Sequence, residues 1–514
     1  MIGVDVLIIG TGVAGLTSAI KLAESDLNIT LVTRTEDPNE TNTNWAQGGI
    51  IYSDDKDLTS DINKASANTS NEEASNVLVK ESKKILEEIL FKKAQTQFDK
   101  DENENLLFTK EAAHSINRII YKGDYTGKSV QVSLLNYLKK FKNVSILQSH
   151  TAIDLITPAH HGISIRQRYE EDQVIGAYLL DQKTKEVKKI ISKKVILATG
   201  GIGALYLHNS NTDGARGDGH AMAKRAGANI SNMEFIQFHP TTFFAGNSKR
   251  RFLISEAIRG EGARLYNSQN ERFMNKYHAD EELAPRDVVS RAILTEMIEL
   301  KDDCVYLDIC DKSPNYLKER FPTIFNYCLD KGIDISKDRI PVVPAAHYTC
   351  GGVKTDLYGR SNLKNLYAVG EVASTGLHGA NRLASTSLLE GLVFGFRASL
   401  DILNEIDSDS LYNADHVQEW INGDRDVDLG LITQDIQTIK QTMWNYLGLR
   451  RSKNRLARAK AMISELSDEI HKFYKHAALH DELIGLRNSV EVSYMVLNAS
   501  LRNKESVGCF YRES

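Results

Sequence analysis

Apolar positions along the chain fall into distinct textures. Near the N-terminus Val4, Val6, Leu7, Ile8 and Ile9 form an almost unbroken apolar run that stops at Gly10. Such a run suits a parallel strand buried on both faces, and residues 16–23 follow with helical spacing. Shorter runs at 29–32, 174–180, 194–198 and 366–369 predict further strands. Two of these lead straight into glycine, at Thr199-Gly200-Gly201-Ile202-Gly203 and at Gly370-Glu371. Strand-to-glycine junctions so distant in sequence imply segments converging on one sheet, with the stretch 236–346 inserted between them. Residues 53–110 are polar and rich in Asn, Lys and Glu, with a helix expected over 72–91.

From about residue 414 the period changes. Ile432, Ile436, Ile439, Met443 and Leu447 recur at helical spacing. So do Leu456, Ala459, Ile463, Leu466, Ile470 and Phe473, and then Leu483, Leu486, Val490, Tyr494, Leu497 and Leu501. Three helices, each with one apolar stripe, are predicted. The basic cluster Arg450, Arg451, Lys453, Arg455 and Arg458 reads as a solvated helix face.

The first strand-to-helix junction carries chemistry. Gly10-Thr11-Gly12-Val13-Ala14-Gly15 fits G-x-G-x-x-G between a strand and a helix. There the first glycine permits the turn, the second lets backbone approach a pyrophosphate, and the third allows close helix–strand packing. Phosphates would sit on the helix N-terminus. The second strand ends in Thr33-Arg34, where a carboxylate for ribose hydroxyls would be expected in a plain NAD site. Arg34 is left as an adenosine-side contact.

Composition narrows the partners. The 514 residues carry a formal charge of −5, are 41% hydrophobic and 25% charged. No basic excess points to nucleic acid or an anionic membrane, so an anionic substrate would need a local cationic pocket. The five cysteines, Cys304, Cys310, Cys328, Cys350 and Cys509, form no C-x-x-C pair, which suggests free thiols and no zinc or iron–sulfur site. No run of eighteen apolar residues occurs, and the strand pattern begins at once. No metal, membrane or nucleic-acid partner is expected, and the reading is a cytoplasmic protein.

Further segments resemble one family: the flavoprotein subunits of succinate dehydrogenase and fumarate reductase, together with the L-aspartate oxidases. They are Ala46-Gln47-Gly48-Gly49, Ala198-Thr199-Gly200-Gly201, Gly217-Asp218-Gly219 and Glu234-Phe235-Ile236-Gln237-Phe238-His239-Pro240-Thr241. Ser255-Glu256-Ala257-Ile258-Arg259-Gly260-Glu261-Gly262 and Leu283-Ala284-Pro285-Arg286-Asp287 follow, then His347-Tyr348-Thr349-Cys350-Gly351-Gly352, Gly370-Glu371 and His378-Gly379-Ala380-Asn381-Arg382-Leu383-Ala384-Ser385. They keep the family's order over nearly the whole chain. Cys350 stands where the respiratory subunits usually carry Met, and Asn42 where they carry the histidine that bonds covalently to FAD. Both features, with the length and short helical tail, resemble the aspartate oxidase branch. That branch usually reads Glu-Gly-Gly-His-Ser where this chain has Glu111-Ala112-Ala113-His114-Ser115. It tends to have Thr at Ser255, and Arg and His at Val507 and Phe510.

The resemblance implies an α/β fold: a Rossmann-like FAD-binding domain (1–235 and 347–413), an inserted α+β capping domain (236–346) and a C-terminal three-helix domain (414–514). It implies noncovalent FAD held by Thr11, Gly12, Val13, Ala14, Arg34, Asn42, Thr43, Asn44, Trp45, Ala46, Gln47, Gly48, Gly49, Asp218, Glu371, Ser387 and Leu388. Dicarboxylate binding falls to His239, Ser255, His347, Arg382 and Gln237, with Glu111 meeting an amino group, Glu256 supporting, and Arg286 catalytic. The implied activity is oxidation of L-aspartate to iminoaspartate, with oxygen or fumarate as acceptor and quinolinate synthase as downstream partner in NAD synthesis. Taken singly, the same residues have plainer readings: His239 could cap a turn, Arg382 could sit in an ion pair, Arg286 or Glu111 could start a helix, and Asp218 could be a turn residue. A soluble fumarate reductase and a flavin-binding module without turnover remain open alternatives at this level.

Overall fold

The apolar run at the N-terminus becomes strand Ile2–Ile9, central in a seven-stranded sheet of the computed structural model, which describes residues 2–244 and 250–513. On one side lie Ile29–Val32 and then Val144–Leu147, all parallel. On the other lies the long strand Val187–Leu197, parallel to the first. The early part of that strand pairs antiparallel with Gly176–Asp181, which in turn pairs with His150–Ile156. Its last residues instead take Leu366–Ala368 as a parallel partner, Val195 opposite Leu366. The distant strand-to-glycine junctions therefore do meet on one sheet, as the sequence pattern required.

Alternation along the first strand serves two cores. Val6 and Ile8 pack with Leu16 and Ile20 of helix Val13–Leu22 and with Leu389 and Leu392 of helix Ser387–Glu405. Leu7 and Ile9 face the opposite core with Val195, Leu197 and Leu366. The polar region 53–110 contributes helix Glu72–Leu86, which runs on as a π-helical turn over Glu87–Lys93.

Between the two parts of the sheet domain, strands run in the order Ile236–Phe243, Ile340–Thr349, Val305–Asp308, Arg264–Tyr266, all antiparallel. Helix Arg286–Leu300 packs on them, and its Val289 and Ile293 join a separate core with Phe243, Leu265, Leu307 and Val342. At the C-terminus three helices form at Leu429–Leu447, Lys453–Tyr474 and Asp481–Arg502. Their apolar stripes do not close on themselves alone. They share one core with Ile153, Tyr178, Ile191 and Phe238 of the sheets. Among the described residues no helix is long and apolar enough to cross a membrane.

The basic cluster is not uniformly solvated. Lys453 and Arg458 are exposed, but Arg451 is fully buried. Its Nε and Nη2 donate to Leu447 O at 3.1 and 2.9 Å, and its Nη1 to Glu234 O at 2.8 Å, while its guanidinium stacks on Phe510. Charge patterning missed this because Arg451 precedes the helix and acts as a staple across three segments. Arg451→Met should therefore lower unfolding stability in urea by about 2–4 kcal/mol, by leaving buried carbonyls without donors. Lys453→Met should change it by less than about 0.5 kcal/mol.

Candidate active site and cofactor cleft

The glycine fingerprint is explained atom by atom. Gly10 has φ +118°, and a Cβ there would lie 2.1 Å from Ala198 O. A Cβ on Gly15 would lie 2.2 Å from Gly10 O. Gly12 differs, since its Cβ would meet nothing nearer than Thr43 Oγ1 at 3.3 Å. Its bare backbone faces a cleft, where helix Val13–Leu22 opens with the Val13 N–H donating to Thr43 Oγ1 at 3.0 Å.

Sixteen of the expected cofactor residues line this cleft: Thr11, Gly12, Val13, Ala14, Arg34, Asn42, Thr43, Trp45, Ala46, Gln47, Gly48, Gly49, Asp218, Glu371, Ser387 and Leu388. Asn44 is not among the lining residues; its N–H instead donates to Thr41 Oγ1, closing the short Asn42–Trp45 turn. The lining fits a dinucleotide with an aromatic ring system. Gln47 Oε1 is buried without a protein partner, and a Cβ on Gly200, at φ +75°, would meet nothing nearer than Asn42 Nδ2 at 4.0 Å. Helix Ser387–Glu405 also opens at the cleft, without a side-chain cap, presenting its positive dipole end. Glu371 accepts from Thr349 N at 2.9 Å, and burial pushes its carboxyl up to about 7.

At the far end the cleft meets the inserted sheet. Gln237 and His239, two apart on Ile236–Phe243, share a face. Opposite them Gln237 pairs with Tyr348 but Phe238 with Ala346, so His347 is the extra residue of a β-bulge. The bulge sets His347 beside His239, ring centroids 5.2 Å apart. His347 Nδ1 meets Ser210 Oγ at 2.8 Å, and His239 Nδ1 meets the Thr241 backbone. Burial first, then neighbouring arginines, hold both imidazoles well below their ordinary pKa and hence neutral.

Two arginines complete the cluster. Arg286 opens the helix after Pro285, and its Nε donates to Glu256 Oε2. Arg382 stacks on Tyr348 at 4.6 Å and reaches Ser387 Oγ at 3.2 Å. Gln237 lies behind the cleft and does not line it. Its Oε1 accepts from Arg286 Nη1 at 3.3 Å and Arg382 Nε at 3.2 Å, so one amide oxygen spaces both guanidiniums. Ser255 Oγ accepts from Ala257 N as a helix cap and keeps its proton for another acceptor. Burial disfavours the Glu256 charge, but Arg286 and Arg259 outweigh it and lower its pKa.

Glu111 enters the same pocket. Its Oε2 accepts from Ser385 Oγ at 2.9 Å and lies 4.0 Å from Arg286 Nη2. Burial raises its pKa, with Arg286 opposing. Gly48 makes room, since a Cβ there would lie 2.9 Å from Glu111 Oε1.

Comparisons with known proteins agree with this geometry. Residues 5–388 match the FAD binding domain family, and residues 436–514 match the fumarate reductase flavoprotein C-terminal family. L-aspartate oxidase 1 of Ralstonia nicotianae is 41% identical over 517 residues, covering 99% of this chain and 94% of its own. The L-aspartate oxidase of Yersinia pestis is 39% identical, covering 99% and 95%. The chain belongs to the L-aspartate oxidase family. Among solved structures, a mutant of E. coli quinol fumarate reductase superposes with TM-score 0.87 at 24% identity, covering 100% of this chain and 91% of that one. Mycobacterium smegmatis Sdh1 gives 0.81 at 26%, covering 99% and 89%. The cofactor is FAD and the fold is the expected α/β one.

Ser210, Tyr348 and Ser385 line the site but were not singled out from sequence. Nothing in a lone serine announces such a role; only the bulge and the turn around Ser385, at φ +58°, bring them in. Ala113, where the family usually has glycine, sits at φ +67°, a left-handed conformation that costs an alanine about 1–2 kcal/mol. The loop holds because His114 Nε2 meets Ala384 O at 3.0 Å and Ser115 is bonded to Asp61.

Asn42 Oδ1 accepts from Thr212 N at 2.9 Å and offers no imidazole for a covalent flavin bond. Acid precipitation of the purified protein should leave the yellow colour in the supernatant. Colour retained in the pellet would refute noncovalent binding.

Proposed function

We propose that this chain oxidises L-aspartate to iminoaspartate, with FAD as the hydride acceptor and oxygen or fumarate as the final one. The relatives' names support the substrate. The observation that carries the reading is the carboxylate of Glu111 set inside a pocket of buried cations. Arg286, Arg382 and the two neutral histidines can hold a dicarboxylate, and none of them favours an ammonium. Glu111 is the group that distinguishes aspartate from succinate or fumarate, leaving its own charge unpaired when the amine is missing.

The substrate carboxylates would lie against Arg286 and Arg382, whose spacing Gln237 sets. In the Nε2–H tautomer His239 and His347, whose Nδ1 atoms meet Thr241 and Ser210, would donate to carboxylate oxygens, and Ser255 would add its hydroxyl proton. FAD, when bound, supplies the hydride acceptor. Glu111 takes a proton from the substrate ammonium, so the freed nitrogen lone pair stabilises the cation developing at Cα. Its raised pKa makes it a better base than an ordinary carboxylate. Guanidinium groups keep their charge at accessible pH, so Arg286 holds and polarises the substrate and can donate, not abstract, a proton. Glu256 fixes its orientation. The product imine would pass to quinolinate synthase, and a cytoplasmic setting fits that role.

Glu111→Gln should cut aspartate oxidation strongly, by about 10²-fold or more in kcat/KM, while sparing or improving fumarate reduction. The wild-type acid limb of kcat/KM for aspartate should lie above the ordinary glutamate range, because loss of activity follows protonation of a carboxyl with raised pKa. The variant should lack that limb. Equal losses in both reactions, or none, would remove Glu111 as selector.

Arg286→Leu should lower kcat by about 10³-fold with FAD still bound. Arg382→Leu should first raise KM, by about 10–100-fold. Anaerobic addition of L-aspartate while following flavin absorbance tests the whole reading: bleaching is expected, and a flavin that stays oxidised with aspartate yet accepts electrons to reduce fumarate would overturn it.

A further inference from the structure

We propose that Asp481, the first residue of the last C-terminal helix, is a positioning residue for the cofactor: it fixes Arg34 in the cleft and ties FAD affinity to docking of the helical bundle. The inference rests on the reading that the adenosine end of FAD lies at Arg34. The sequence puts Arg34 where a nucleotide-binding strand would ordinarily end in a carboxylate. The structure supplies a carboxylate there from another part of the chain. Arg34 Nη1 donates to Asp481 Oδ2 at 2.9 Å. The same carboxylate accepts from Arg216 Nη1 and Nη2 at 3.1 and 2.8 Å, and from Thr151 Oγ1 at 2.6 Å. Arg34 and Thr151 both line the cleft, whereas Asp481 does not.

The arrangement is built, not incidental. Two guanidiniums share the Asp481 carboxylate. Arg216 has a second partner, with Nε 3.0 Å from Asp218 Oδ2, and Asn488 of the same helix steadies Asp218 at 2.7 Å. Arg34 has no second acidic partner among the described residues. Without the Asp481 charge, Arg34 would therefore face the Arg216 cation alone and swing out of place. Gly485, one turn on, is needed as well, because a Cβ there would lie 2.5 Å from Arg216 Nη1. The helix N-terminus adds its own favourable field to the carboxylate. Burial opposes that charge, but Arg216 and Arg34 outweigh it and hold the carboxyl far below its ordinary pKa.

A second clamp holds the same helix through Arg487, which does not line the cleft. Arg487 Nη1 donates to Asp154 Oδ2 at 2.9 Å, and Arg225 pairs with Glu491. The two clamps separate docking in general from the path through Arg34.

The test is FAD affinity, read from the rise of flavin fluorescence as holoenzyme is diluted, for wild type and for Asp481→Asn, Arg34→Met, Arg34→Met with Asp481→Asn, and Arg487→Met. We expect Asp481→Asn and Arg34→Met each to raise the FAD dissociation constant about ten-fold or more. The double variant should be no weaker than Arg34→Met alone. Arg487→Met should lower the melting temperature yet leave FAD affinity within about two-fold. KM for aspartate at saturating FAD should not move in Asp481→Asn. If Arg34→Met weakens binding and Asp481→Asn does not, the inference fails while the adenosine placement stands. If neither weakens it, the placement fails and takes the inference with it. Additive losses in the double variant, or an equal loss in Arg487→Met, would show only general docking and overturn the path through Arg34. Asp481→Ser, which keeps an acceptor at the helix start, replaces the asparagine variant should that one not fold, with the same expectations.

Discussion

Two guanidiniums sharing one amide oxygen is the constraint on which the rest of this structure turns. Arg286 and Arg382 are buried, carry like charge, and both donate to Gln237 Oε1. Burying cations is costly without partners, and an amide oxygen cannot neutralise either. Glu256 pairs with Arg286, and Arg382 stacks on the Tyr348 ring. The remaining positive charge is available to a dianion. Each member comes from a different stretch: the antiparallel sheet, the helix after Pro285, and the turn at 376–387. The pocket therefore exists only when the inserted sheet sits against the cleft.

That dependence accounts for features of the fold that otherwise look incidental. A bulge at His347 and the break in pairing after His239 bend the two long strands just where their side chains meet the pocket. Tyr348, one residue from the bulge, hydrogen-bonds Glu390, which also holds His378 and Thr375. Glu390 belongs to the helix whose N-terminus opens on the cleft. The platform under Arg382 is thus tied directly to that helix end.

Much of this was legible in the sequence, for physical reasons. Apolar runs closing in glycine marked the parallel strands, because a strand buried on both faces has little choice of composition. Helical stripes at Ile432 through Leu447 and beyond marked the tail. Motif order marked most of the cleft. What could not be read were relations with no local signature. Arg451 looked like one more surface cation, yet it is buried, because its partners are carbonyls of Leu447 and Glu234. Gln237 could not be told from a lining residue, since its effect passes through two arginines. Ser385 gains its place from a left-handed turn that nothing in its neighbours demands.

Protonation is the last point where the pieces meet. Burial alone would neutralise every ionisable group in this pocket. It succeeds with His239 and His347 and drives Glu111 toward its neutral form, but fails at Glu256, where two arginines outweigh it. The pocket thus sorts its groups by their neighbours. Glu256, its pKa lowered by Arg286 and Arg259, pairs with Arg286. The histidines add no charge, so the pocket presents two cations, Arg286 and Arg382, and not four. Glu111, more weakly paired at 4.0 Å from Arg286, has its pKa raised by burial. A carboxylate as tightly bound as Glu256 could not accept the ammonium proton, and one fully exposed would not penalise its absence. The looseness of the Glu111 pairing sets it apart from Glu256 and supports the proposed role in meeting an amine.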